Sequence, residues 1–544
     1  EHGYATAAFV SAAVLDSRFG LNQGFDTYYD HFNYTAPDAA DIDEVRRRGD
    51  QVTDLALNWL RERQKSLSRQ PFLLWVHLYD CHAPYEPPEP YAGRYPGRPY
   101  DGAIAFDDAQ VGRLLDELGQ AGWLSRSIIV LCGDHGEGLG EHGEKTHGFF
   151  VYNSTLHVPL LIKIPGAKPS VVSQGVSLVD VMPTVLQALR IQSPPTVQGR
   201  SLLSALLRHS GGSQSNLYAE SYLPLLHFRW SQLRSFELRG LQYIDAPRPE
   251  LYDTRTDPDE LHNLYPQRQS TGRELHDRLF DFLRLYTPTA GNATAQKDLT
   301  DPALLERLRS LGYVAISAGT YSDSSGKQLP DPKDRIGVYE LFSSAMSDGQ
   351  HGRIRQSLEK LDGAEKVEPH SVPIEYLQGL DEYKLRNGAQ AIEKFRAALK
   401  LDPGFSMGEY YLGLAQIQMG DLGAAASSLE QALKLDAENF SAAYNLGAID
   451  VKHGRIPEAM SMFKRASEIN PNYEPAFEAM GQLLLYENHA QDAMVQLQRA
   501  VDLAPASAAA HQHLGRAFQA AGRAEDAQRQ FEIASRLTSQ PASH

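Results

Sequence analysis

Two cysteines in 544 residues leave no room for a disulfide framework or a thiolate metal cluster. Cys81 and Cys132 say little about compartment. Long apolar runs are also lacking. No stretch approaches the ~18 apolar residues of a membrane span, and the longest, such as residues 72–76 (FLLWV), suit buried strands. Positive charge is in deficit: the formal charge of −16 argues against a nucleic-acid partner, because neutralising phosphates needs clustered Lys and Arg. The run Arg46-Arg47-Arg48 is read as a solvated helix face. The N-terminus, Glu1-His2-Gly3-Tyr4-Ala5-Thr6-Ala7, has no Met, basic n-region or cleavage site. It reads as the interior of a domain, with a helix ending at a Gly and a strand over residues 5–10, so a fold incomplete at its N-terminus is expected. The composition, 42% hydrophobic and 22% charged, is that of a globular protein. The length calls for two or more domains.

Two grammars divide the chain. Over residues 1–315, short apolar runs alternate with amphipathic stretches. Residues 71–79 and 127–132 read as buried strands, and residues 104–118 between them show helical spacing at Ile104, Val111, Leu114, Leu115 and Leu118. Strand, helix, strand implies an α/β domain with a parallel sheet covered on both faces. Such folds place their chemistry on loops beyond the C-terminal strand ends, where both His-rich segments, after Tyr79 and after Cys132, lie.

From about residue 340 a 34-residue period takes over. Glycines recur at 379, 413, 447, 481 and 515; alanines at 391, 425, 459, 493 and 527; large apolar residues at 395, 429, 463, 497 and 531; and alanines again at 398, 432, 466, 500 and 534. Pro403, Pro471 and Pro505 close units. Gly in a helix costs roughly 1 kcal/mol relative to Ala, so five at one phase need a reason, and close approach of paired helices supplies it. This pattern resembles tetratricopeptide (TPR) repeats, an all-α solenoid assigned to residues 370–540. Residues 341–369 are read as a degenerate repeat, with Ala345 in phase and Ser357 in place of the column alanine, and residues 316–340 as a linker. Such solenoids offer a protein or peptide partner a concave face. Tyr376, Tyr410 and Tyr444 share one phase; they either line that face or pack inside each unit.

In the first half, Asp134-His135 directly after a strand can set a carboxylate and an imidazole on one cation. Around the pair stand Gly136-Glu137, Gly140-Glu141-His142-Gly143, Lys145, His147 and Val158-Pro159-Leu160-Leu161-Ile162. Here the sequence resembles the sulfatases of the alkaline phosphatase superfamily. Other segments agree in order: residues 20–28 (GLNQGFDTY), 72–85 (FLLWVHLYDCHAPY), 180–184 (DVMPT), 199–202 (GRSL), Glu250-Leu-Tyr-Asp253, Asp257-Pro258 and Asn263-Leu264. The resemblance covers residues 1–315 and implies a mixed or parallel sheet flanked by helices.

It also implies roles. Asp134 and His135 would be ligands of a divalent metal, calcium first, with manganese or zinc compatible with the His ligand. His82, in the His-x-Pro-Tyr position, would bond the ester's anionic group or protonate the leaving oxygen. Lys145 and His147 compete for the cationic position facing the sulfuryl group, since Tyr152-Asn153 replaces the usual aromatic-acidic pair and blurs the register. Glu220, Tyr222 and His227 lie in a substrate-side run, AESYLPLLHFRW. His77 is expected to be a satisfied core residue, His142 a supporting one, and Glu137 and Glu141 structural or solvated.

The family pattern further needs two adjacent Asp ligands and a formylglycine-forming Cys or Ser in Cys-x-Pro-x-Arg; Cys81 and Cys132 fit neither. Both elements are expected ahead of Glu1, so the chain as given is expected to hydrolyse little. The reading is a metal-dependent sulfate ester hydrolase of bacterial type with a TPR docking module; the sequence does not fix its compartment, although hydrolases of this family are often exported. Two alternatives stand beside it: a phosphate or phosphonate ester hydrolase or phosphoryl-group transferase of the same superfamily, and an inactive scaffold borne by the repeats.

Overall fold

A computed structural model describes residues 2–17, 20–32, 46–66, 69–208, 216–286 and 329–539, and the chain divides into two compact units, Glu1–Ser343 and Ser344–His544. In the first unit the apolar runs become strands. β1 (Ala5–Phe9) lies between β2 (Thr27–Tyr29) and β3 (Phe72–Val76), all parallel, with Ala7 opposite Thr27 on one side and Leu74 on the other. A strand paired on both sides and covered by helices must be apolar throughout, and Ala7, Ala8 and Phe9 are buried. The helix Gly49–Lys65 brings Val52 and Ala56 onto Ala7 and Phe9, and Leu114 of the helix Pro99–Gln120 packs against the same core. The helix expected at residues 104–118 lies within Pro99–Gln120, although Ile104 faces solvent. β4 (Ile129–Cys132) pairs antiparallel with β5 (Leu160–Lys163), Val130 opposite Ile162.

A separate antiparallel sheet follows, in the order β6 (Leu217–Ser221), β7 (Leu233–Leu238), β8 (Leu241–Asp245) and β9 (Glu250–Asp253). The helix Gln269–Tyr286 buries Leu275 and Leu279 against Phe236, Tyr243 and Leu251 of this sheet. Several sequence motifs turn out to be turn chemistry. Asp180 forms a capping box with Ser177 and accepts the Arg200 N–H at 2.7 Å. Gly199 lies so close to the Val179 carbonyl that a Cβ has no place. Asn263 Oδ1 accepts the N–H groups of Leu251 and Tyr265 at 3.1 and 2.8 Å. Parallel strands around β1, antiparallel strands elsewhere and flanking helices make this the expected α/β class with a mixed sheet arrangement.

The second unit is helical throughout its described residues. Each 34-residue period is a helix pair: Val372–Lys384 with Gly388–Leu401, Ser406–Met419 with Leu422–Leu435, Phe440–Lys452 with Ile456–Ile469, Glu474–Tyr486 with Ala490–Leu503, and Ala508–Ala520 with Ala524–Ser539. The glycine column marks the points of closest approach. A Cβ on Gly379 would stand 2.6 Å from the Phe395 ring, on Gly447 2.7 Å from Phe463, and on Gly413 2.8 Å from Leu429. Tyr376 is buried against Phe405 and Tyr411, whereas Tyr410 and Tyr444 stay half-buried. Of residues 316–340, only 329–340 are described; they pass through the turn Pro332–Asp334 into the helix Ile336–Gln350. The helix Ile354–Val367 follows, with Ala345 and Ser357 buried.

Candidate active site

The C-terminal ends of β3 and β4 deliver the two His-rich loops. After β3, the chain turns at Tyr79, whose carbonyl accepts the His82 N–H at 3.2 Å and whose ring stacks on His82 at 4.3 Å. His82 Nδ1 lies 2.7 Å from the Ala83 carbonyl. A carbonyl only accepts, so Nδ1 carries the proton and Nε2 is the open nitrogen. Burial, with His147 adding to it, pulls the His82 pKa down to about 4, so the unliganded ring is neutral near pH 7.

After β4, Asp134 Oδ1 accepts the His135 N–H at 3.0 Å, and His135 Nε2 lies 3.8 Å from Asp134 Oδ2. The following loop folds back on itself: Gly136 N–H donates to Thr155 O at 2.8 Å, Gly138 N–H to Thr146 O at 2.6 Å, and Gly140 N–H to Glu144 O at 2.8 Å. Glu144 is buried and its carboxylate accepts the N–H groups of Phe149 and Phe150 at 2.8 and 3.1 Å. This closure returns His147 to the start of the loop. Its ring lies 3.8 Å from that of His135 and 5.2 Å from that of His82. Glu137 joins the group from below: one carboxylate oxygen accepts His147 Nδ1–H and the other the Tyr85 hydroxyl. Burial pushes the Glu137 carboxyl up, but the bonds from His147 and Tyr85 outweigh it and hold it below the usual carboxylate range. Three imidazoles, one of them backed by a carboxylate, thus come together beyond the ends of two strands.

Residues 1–191 match the Sulfatase family and residues 140–284 the family N-sulphoglucosamine sulphohydrolase, C-terminal. The N-terminal part carries a sulfatase-family domain. Residues 376–418 and 416–483 match two tetratricopeptide repeat families, so the C-terminal part is a TPR module. Arylsulfatase K of Mus musculus is 33% identical over 175 residues, which are 30% of this chain and 32% of that protein. Arylsulfatase K of Bos taurus is 28% identical over 278 residues, 39% of this chain and 51% of that protein. The chain thus spans about a third to a half of the length of these curated relatives. Among solved structures, one in complex with its substrate D-glucosamine-2-N, 6-O-disulfate is 20% identical and covers 52% of this chain and 80% of its own, with a TM-score of 0.42.

Within the sulfatase-family domain, the two competitors for the anion-facing position part company. His147 meets His82 and His135, whereas Lys145 pairs with Glu340 at 2.9 Å and its side chain is mostly exposed. His142 stacks on Tyr152 at 3.7 Å and reaches the Asp259 carbonyl, away from the three histidines in its bonding. Glu220 is engaged by the Tyr218 hydroxyl, Tyr222 accepts from Arg234 at 3.3 Å, and His227 is buried in the helix Leu223–Phe228, its pKa pulled down to about 4 by burial. From that run it is Ser221 that touches the His147 loop, its hydroxyl donating to Gly148 O at 2.5 Å. His77, expected to be a satisfied core residue, is half-buried, and its buried Nδ1 has no hydrogen-bond partner among the described residues.

Other residues enter the site unannounced. Glu137, expected to be structural or solvated, is buried and central. Arg46 donates to the His82 and Pro84 carbonyls at 3.3 and 3.0 Å, and Arg47 to the Val10 carbonyl at 3.1 Å. The Arg run precedes its helix, which begins at Gly49. Arg46 and Arg47 therefore serve carbonyls beside the strand ends instead of forming a solvated helix face, while Arg48 stays exposed and pairs with Asp50 at 2.6 Å.

Among the described residues, His135, Glu137 and His147 offer ligand atoms within 4.8 Å of one another, and Asp134 adds an exposed carboxylate beside them. Two imidazoles with carboxylates suit a divalent cation that accepts nitrogen and oxygen together. The residues present therefore fit a divalent metal; His135 Nδ1 lies 3.0 Å from the Gly136 carbonyl, which leaves Nε2, on the side of Asp134, as its open nitrogen.

Proposed function

We propose that the sulfatase-family domain acts on sulfate esters at the ends of β3 and β4, and that the TPR module presents it to a protein or peptide partner. The convergence of His82, His135 and His147 carries this reading. His147 is the group that meets the sulfuryl oxygens, in preference to Lys145, whose charge is held by Glu340. His82 presents Nε2; an anion bound against the ring would restore its proton and make it a donor to the ester or its leaving oxygen. Asp134 and His135 would hold a divalent cation, which would supply charge neutralisation at the ester oxygens. Cys81 is no nucleophile in this setting: burial and the neighbouring Asp107 push its thiol up, so the thiolate is scarce.

The test is binding of inorganic sulfate to the 544-residue chain, followed by calorimetry and by the His ring resonances. Sulfate is expected to shift His147 and His82, and His147→Ala to weaken binding about tenfold, the loss of one charge-assisted bond. Sulfate binding that ignores both rings would refute the assignment. With no Cys in a Cys-x-Pro-x-Arg context, turnover of an aryl sulfate by this chain is expected to be far below that of an active sulfatase.

Calcium provides a second check. It takes 6–8 oxygen ligands and its affinity rises with their charge, so Asp134 and His135 are expected to bind it with a dissociation constant of ~1 mM or weaker. Calorimetry that finds micromolar calcium, abolished in Asp134→Ala, would mean that more ligands converge there than this pair.

A further inference from the structure

Glu137 has the geometry of a control point. Its two carboxylate oxygens are divided between two loops, one accepting from His147 and the other from Tyr85 of the loop that carries His82. Its own backbone is clamped on both sides. Gly136 lies against the Ser154 carbonyl with no room for a Cβ, and a Cβ on Gly138 would stand 2.9 Å from the Thr146 carbonyl. Both glycines donate their N–H groups across the loop, to Thr155 O and Thr146 O. The carboxylate is thus held from behind before it meets either partner.

The contacts of His147 with His135 and His82 are ring contacts, stacked and edge-on. Ring contacts fix separation but do not select which nitrogen faces a ligand. A hydrogen bond to one nitrogen does, because it assigns the tautomer. We propose that Glu137 is the positioning residue of this site: by accepting Nδ1–H it keeps His147 in one tautomer and one orientation, so that Nε2 faces the sulfuryl oxygens and, in the doubly protonated ring, donates to them. The inference rests on the reading that His147 meets the ester. Tyr85, on the other carboxylate oxygen, sets the distance between the His147 loop and the His82 loop.

The experiment uses the full chain with 15N-labelled histidine. In the wild type, His147 is expected to show a single tautomer protonated at Nδ1. Glu137→Ala is expected to give a mixture of tautomers and to weaken inorganic sulfate binding about tenfold. A purely structural role would lower the melting temperature and leave the tautomer alone, so a folded Glu137→Ala with wild-type His147 resonances overturns the proposal. Should Glu137→Ala fail to fold, Glu137→Gln decides. Its neutral amide oxygen is a weaker acceptor than a carboxylate, so the His147 Nδ1–H proton should move upfield; an unmoved signal overturns the proposal. If the wild type binds no sulfate, the ester reading fails, while the tautomer measurement still shows whether Glu137 orients His147.

Discussion

Phe463→Ala is expected to lower the unfolding free energy of the repeat module by ~3–5 kcal/mol, read by urea denaturation followed by circular dichroism. Phe463 is buried with Ala459, Met480 and Leu483, and the Tyr444 ring lies 5.4 Å away. Its ring fills the space opened by Gly447, where a Cβ would stand 2.7 Å from the ring edge. Removing the ring leaves a cavity in a solenoid whose stability is close to a sum over neighbouring repeats. The same geometry makes a sharper demand. Gly447→Ala alone should destabilise by ~1–2 kcal/mol, since overpacking outweighs the gain in helix propensity. In the Phe463→Ala background the new methyl enters the cavity, and Gly447→Ala should become neutral or stabilising. Equal losses in both backgrounds would mean that the glycine column has some cause other than helix approach.

The repeat half was legible because its constraint is periodic. A Gly that must admit a facing ring recurs at each unit, and so do the alanines that pack beneath it: Ala391, Ala425, Ala459 and Ala493 are all fully buried. The tyrosine phase was less decisive. Tyr376, Tyr410 and Tyr444 hold equivalent sequence positions, but Phe405 and Tyr411 close over the first of them. Burial there depends on the neighbouring repeat, which a single column does not encode. In the α/β half, the strands behind the two His-rich loops were readable from apolar runs bounded by turns. Which strands pair was not, since pairing is a long-range property: β1 takes β3, more than sixty residues on, as its neighbour.

The site divides in the same way. Asp134, His135 and His82 stand beside strand ends, so their placement follows from the local sequence. The choice between Lys145 and His147 turns on a loop whose path is set by Gly138 pairing with Thr146 and by the buried Glu144 carboxylate. Glu137 lies ten residues from His147 and meets it only through that closure. An i, i+2 spacing from His135 in an extended loop was the one signal that could have drawn it in. Along β6, alternation separates Tyr218 and Glu220 from Ser221, so the polar run divides between two faces. Ser221 alone of that run has its hydroxyl on the His147 loop among the bonds described.

The second large effect concerns pH. Asp107 accepts the Cys81 thiol at 3.2 Å, and Asp80 accepts the Gly49 N–H at 2.8 Å at the start of the helix Gly49–Lys65. Burial, with the neighbouring Asp80 adding to it, pushes the Asp107 carboxyl up to about 8, and burial pushes Asp80 up as well. The pair therefore keeps a proton at neutral pH. In the unfolded chain Asp titrates near 4. A folded pKa above the unfolded one means stability that is fully present below pH ~4 and lost as pH rises through ~8. Discounted for partial solvent access, the loss between pH 5 and 9 is expected to be ~2–4 kcal/mol. Asp107→Asn carries its proton permanently, and its NH2 can donate to Asp80 as the protonated carboxyl does. The variant should be close to the wild type at pH 5 and more stable at pH 9, measured by urea unfolding at both. Parallel stability curves would remove Asp107 as the titrating group. Asp80, Cys81 and His82 are consecutive, so ionising this pair places two charges directly behind the turn that carries His82. Sulfate affinity should then fall over the same range as the stability, and Asp107→Asn should shift both limbs together.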